Sequence, residues 1–220
     1  MRSKIMTKTQ RLRMTIDITM TILSIILMGG NYLFPADIVH EILGVGLFVL
    51  WGLHIALNRR WYGAIFRGNY NPYRVMQTII NCCILICTIF LMISGIILSN
   101  HIFTFLNIQG GLGFARIAHL LASHWYYLFM SLHIGLHVGR LFQDITTKII
   151  PRIILALVCA YGIYAFIARG VWKYLILRQQ FFFFDLDRGY ILFAIDYISI
   201  IILFATLSHL LAKSLKKDKL

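Results

Sequence analysis

Six apolar runs of membrane-spanning length decide what this chain can fold into. They cover residues 14–34, 38–57, 75–98, 114–141, 152–168 and 190–211. A hydrocarbon core about 30 Å thick takes about 20 residues of helix to cross. Inside it the backbone must satisfy its own hydrogen bonds, and runs this long do so as helices. Hydrophobic residues make up 60% of the 220 and charged ones 13%, more apolar surface than a soluble domain can hide. The expectation is an all-α integral membrane bundle of about six transmembrane helices, one domain over residues 1–220, with the lipid bilayer as its solvent. Residues 170–188 mix aromatic and charged side chains and read as an interfacial segment on the outer side.

Charge sets the expected orientation. The net charge of +13 would point to nucleic acid in a soluble protein. Here the basic residues sit in loops and tails, which favours topology and lipid headgroups over nucleic acid. Arg2, Lys4, Lys8, Arg11 and Arg13 precede the first run, and Pro35 follows it. Arg59, Arg60, Arg67 and Arg74 follow the second run, Arg140, Lys148 and Arg152 surround the loop after the fourth, and the tail is KSLKKDKL. The positive-inside rule places both termini and the loops near residues 60 and 145 in the cytoplasm. The loops near residues 36, 105 and 178 then face outward. The basic start resembles a signal peptide, but the apolar stretch is long and no A-x-A site follows, so a retained helix is expected. Cys82, Cys83, Cys87 and Cys159 lie within apolar runs and form no C-x-x-C, which excludes a thiol redox motif and covalent haem attachment of the C-x-x-C-H kind.

Chemistry is concentrated in the histidines. His40 and His54 are fourteen residues apart, and so are His119 and His133; no other pair among the eight has that spacing. Fourteen residues is about four helical turns, so each pair shares one helix face with about 21 Å between its members. One intervening run makes the second and fourth runs parallel. His40 and His119 then share one membrane level, and His54 and His133 the other. Ionisable side chains inside a bilayer are costly and mark function. Two imidazoles facing each other at each level suit axial ligation of a planar macrocycle, and a six-coordinate iron so bound favours electron transfer. The alternatives are hydrogen-bonded core histidines, or a bare ion, which would gather its ligands at one level and add carboxylates.

Other residues have secondary readings. His137 lies one turn past His133 on the same face and is the alternative inner ligand. His124 points about 140° away from His119. His101 and His209 read as interfacial residues or proton relays. Gly44, Gly46, Gly95 and Gly135 allow close approach to the backbone, or plain helix packing. Arg116, Arg59, Arg60 and Arg140 are candidate partners for propionates. Asp17 and Asp196 are the acids within apolar runs; Asp196 is a candidate proton acceptor for a quinone, or a hydrogen-bonded polar residue.

Three segments carry a family resemblance: TIDITMTILSIILM, then HEILGVGLFVLWGLHIALNRRW, then AHLLASHWYYLFMSLHIGLH. Together they resemble the flavinylation-associated cytochromes, small bacterial b-type membrane cytochromes within the wider cytochrome b-like superfamily. The match covers roughly residues 15–140, and the block HE-x2-G … H-x2-LN-x2-W narrows it to the family. The resemblance implies two non-covalent haem b groups on His40, His54, His119 and His133. It also implies electron transfer across the bacterial cytoplasmic membrane, with an extracytoplasmic protein carrying covalently bound FMN as partner. A quinone pool or a cytoplasmic donor is the expected other end. Such a chain is an electron-transfer subunit of an oxidoreductase, not a self-contained enzyme. The rivals are the membrane core of a ferric, formate or sulfoxide reductase, and a histidine-bearing metal transport or scaffold protein.

Overall fold

The computed structural model describes residues 7–34, 36–185 and 187–217, so Arg2, Lys4, Pro35 and the last three residues lie outside the described residues. What is described is helical, with no strand. The helices are α1 (Lys8–Leu27), α2 (Ile38–Leu57), α3 (Arg59–Ala64), α4 (Pro72–Leu98), α5 (Leu112–His137), α6 (Gly139–Thr147), α7 (Ile149–Ala168), α8 (Val171–Leu175) and α9 (Gly189–Lys217).

Local chemistry moves several helix ends away from the limits of the apolar runs. Thr7 and Gln10 form a reciprocal capping box, Gln10 N donating to Thr7 Oγ1 at 3.2 Å and Thr7 N to Gln10 Oε1 at 3.0 Å. That box starts α1 six residues before the first apolar run. The same helix ends at Leu27, just before a 3-10 turn at Gly30–Leu33, whose first residue has φ of +59°. Asn71 caps α4 through Arg74 N at 2.8 Å, with Pro72 at its first position. The fourth run divides at Val138 into α5 and a short helix, α6. Pro151 sits in the first turn of α7, where no intrahelical donor is required.

Among the described residues, four helices are long and apolar enough to cross a membrane: Ile38–Leu57, Pro72–Leu98, Ile149–Ala168 and Gly189–Lys216. This is the character of a helical membrane protein. Polar residues lower the hydropathy of the other two long helices. Lys8, Arg11, Arg13 and Asp17 lie on α1, and Arg116 with four histidines on α5.

α5 is the centre of the bundle, packed between α4 and α9, and α7 packs on the far side of α9. Glycines make these crossings tight. A Cβ on Gly135 would stand 2.1 Å from the Ala205 carbonyl oxygen, and one on Gly162 would stand 2.6 Å from that of Ser199. Tyr126, Tyr127 and Met130 of α5 meet Tyr197, Ile200 and Ile201 of α9 in the buried core, and the Tyr127 hydroxyl donates to the Tyr197 carbonyl. Residues 170–185 fold back over α5. Val171 and Tyr174 are buried there, and Trp125 Nε1 donates to the Leu175 carbonyl at 3.1 Å.

α2 is attached differently. None of its residues is buried, and its main neighbour is α1. Arg13 of α1 donates to the Leu57 carbonyl at its C-terminal end, 2.6 Å away. At its other end the Glu41 carboxylate accepts from Ser99 Oγ at 2.6 Å and from the amides of Asn100, Ile102 and His101 at 2.8, 3.0 and 3.3 Å. Glu41 thus fixes α2 to the turn after α4.

Candidate functional site

The histidines of α2 and α5 meet in two pairs. The His40 and His119 rings lie with centroids 6.3 Å apart and planes crossed at 63°. The His54 and His133 rings lie 6.3 Å apart and cross at 73°. The two helices are therefore parallel and in register, and the pairs stand about four turns, or about 21 Å, apart along them. The rings bridge two helices whose backbones do not otherwise pack closely.

Each ring is also held from behind. His119 Nδ1 lies 3.0 Å from Ser94 Oγ, and that hydroxyl already donates to the Phe90 carbonyl at 2.6 Å. A hydroxyl has one proton to give, so His119 Nδ1 is the donor to Ser94. His133 Nδ1 lies 2.8 Å from Asn81 Oδ1, and His54 Nδ1 lies 2.8 Å from Asp17 Oδ1. In both cases Nδ1–H donates to oxygen. These three rings are therefore Nδ1–H tautomers with a bare Nε2 lone pair, the form in which imidazole ligates a metal. His40 interacts with the backbone of Gly30.

These supporting residues were not singled out as partners from the sequence. Ser94 and Asn81 are thirteen apart on α4, which runs antiparallel to α5, so their spacing nearly matches that of His119 and His133. Two hydrogen-bonding residues at that interval in an apolar run were the signal available.

The remaining sequence candidates fall in various places. Gly95 is beside the site: a Cβ there would stand 3.8 Å from His119 Cε1. Gly44 follows His40 by one turn, and a Cβ on it would meet nothing within 4 Å. Gly135 does not face the histidine pairs but α9. Arg116, Arg59 and Arg60 are exposed. The Arg140 side chain lies outside the described residues. The His137 ring lies tilted against that of His133, with centroids 4.6 Å apart and planes crossed at 49°. His124 is buried against Tyr174 at 4.2 Å and bonds the Leu120 carbonyl through Nδ1 at 2.8 Å, so it belongs to the α5–α8 contact. His101 Nε2 pairs with Asp37 at 2.8 Å, and His209 stacks on Phe142.

Asp196 is fully buried and occupied. Arg169 Nε donates to it at 2.7 Å, Tyr161 Oη at 2.6 Å, and Arg188 lies at 3.4 Å. It is a structural ion-pair centre between α7 and α9, the hydrogen-bonded alternative of the two sequence readings.

Among the described residues no three His, Cys, Asp or Glu side chains converge as a bare ion requires. A groove of about 490 Å³ lies between Tyr70–Ile80 and Leu215. It is mostly apolar, and none of the paired histidines lines it. Comparison with family models, curated proteins and solved structures finds no match to this chain.

Proposed function

We propose that this chain is a di-haem b-type membrane cytochrome of six spans with a cytochrome b-like arrangement, passing electrons across the bacterial cytoplasmic membrane. One observation carries the reading. Two imidazoles sharing one metal from opposite sides, at about 2 Å each, place their centroids about 6 Å apart, and both pairs stand at 6.3 Å. The donor set fits. Three of the four rings hold Nδ1–H against an oxygen and keep Nε2 free, and the open backbone at Gly44 leaves room beside His40.

Haem iron held by two histidines supplies reversible one-electron transfer. His40 and His119 would hold one haem, His54 and His133 the other. Ser94, Asn81 and Asp17 fix the tautomer and angle of their rings. α2 and α5 supply the spacing between the two levels.

Charge supports the orientation. At the His40/His119 end, Arg116, Arg169, Lys173, Arg178 and Arg188 are balanced by Asp37, Glu41, Asp185, Asp187 and Asp196. The net +13 therefore belongs to the segments at the other end. That end, where α1 begins and α9 ends, is cytoplasmic by the positive-inside rule. The family resemblance supports an extracytoplasmic protein carrying covalent FMN as partner at the His40/His119 end. It supports a quinone pool or cytoplasmic donor as the other partner.

The test is a reduced-minus-oxidised spectrum with a haem count on purified protein. Two b-type haems per chain are expected. His40→Ala and His119→Ala should each lose one, His54→Ala and His133→Ala the other, and His137→Ala neither. A wild-type chain with no haem, or with one, sinks the proposal.

A further inference from the structure

The four rings differ in what holds them. His119 is held by a hydroxyl, His133 by a carboxamide and His40 by a backbone group. His54 alone is held by a carboxylate, Asp17 Oδ1 at 2.8 Å from Nδ1. A charge-assisted bond is roughly twice as strong as a neutral one. A carboxylate behind an imidazole also raises the basicity of the opposite nitrogen, which is the ligating one. A more basic axial ligand favours the oxidised, more highly charged iron.

Neither Arg13 nor Glu41 repeats that contact at another ring. Arg13, one turn from Asp17, gives its guanidinium to the Leu57 carbonyl. Glu41, next to His40, is taken up by Ser99 and three backbone amides. Its bonds face the turn after α4.

We propose that Asp17 is a positioning residue that sets the two haems apart in reduction potential. It makes the His54/His133 site the lower of the two, so the favourable gradient for electrons runs toward the His40/His119 site. The inference rests on the di-haem reading above.

Redox titration of the haem absorbance in the full-length chain, with haem counted in each sample, tests it. The wild type should show two components, and His54→Ala should remove the lower one. Asp17→Asn keeps a hydrogen-bond acceptor but removes the charge. It should shift the lower component upward, changing its oxidised-to-reduced ratio at fixed ambient potential by roughly fivefold, and leave the upper component in place. Asn81→Asp, which adds a carboxylate behind His133, should shift the same component downward. If Asp17→Asn loses a haem, the Asn81→Asp shift decides alone. Unmoved midpoints, equal movement of both, or movement of the upper component overturns the role of Asp17 while two haems per chain leave the di-haem reading standing. A wild-type chain without haem overturns the reading itself and the inference with it.

Discussion

Gly135→Ala should loosen the bundle at its tightest crossing. A Cβ at that position would stand 2.1 Å from the Ala205 carbonyl oxygen and 2.8 Å from its carbon. Ordinary contact begins near 3.4 Å, so α5 and α9 must separate by roughly 1.3 Å at that point. The obstacle is backbone, and no rotamer change relieves it. Overpacking of this kind costs about 1–3 kcal/mol, and a backbone clash belongs in the upper part of that range, about 2–3 kcal/mol. For a chain of this size that corresponds to an apparent melting temperature lower by about 4–12 °C. The assay is thermal unfolding of the purified protein in detergent, followed by far-UV circular dichroism. Gly46→Ala is the matched control, because a Cβ there meets nothing within 4 Å; it should melt within about 1 °C of wild type. Gly135 is two residues from His133 and about 24 Å along the helix from His119. Haem content should therefore fall first at the His54/His133 level. Wild-type melting of Gly135→Ala, or an equal loss in Gly46→Ala, would refute the reasoning.

Three further substitutions test other parts of the structure. Asp196→Asn leaves Arg169 and Arg188 without their shared countercharge in a buried site. It should cost about 3–5 kcal/mol, and the double variant Asp196→Leu with Arg169→Met should recover most of that, both read by thermal unfolding. Glu41→Gln weakens four hydrogen bonds that hold the start of α2 and should cost about 1–2 kcal/mol. Its haem spectrum should broaden only in the component lost in His40→Ala. His124→Phe keeps the stack on Tyr174 and removes a buried Nε2 that has no partner. It should retain both haems and melt at or slightly above the wild-type temperature, by about 1 kcal/mol in stability.

The pairing of histidines was legible in the sequence because helix geometry is periodic. Fourteen residues return a side chain to nearly the same face, and one intervening spanning run fixes parallel direction, so spacing and run order give the levels. What spacing does not give is the neighbour on another helix. Asp17 read as a solitary acid in an apolar run, yet it is the partner of His54. Asp196 had two readings of which burial with Arg169 selects one, since an ion pair 27 residues apart leaves no periodic trace. Helix ends were legible only where their caps are local. The Thr7–Gln10 box is such a cap, whereas the division of the fourth run at Val138 is marked only by Gly139, and glycine is common in spanning helices.

The attachment of α2 has a consequence for how the molecule is put together. α4, α5, α7 and α9 are joined by backbone-close crossings and a buried core that does not involve α2. α2 has no buried residue, and it is tethered at its two ends and by its imidazoles. Such a helix surrenders little packing when it moves aside. The bundle is therefore divided into a part that closes by itself and a part that closes last, with α1 as the strap between them. If the chain binds haem as proposed, order of assembly and order of haem capture become the same question, and the latches to watch are Glu41 and Asp17.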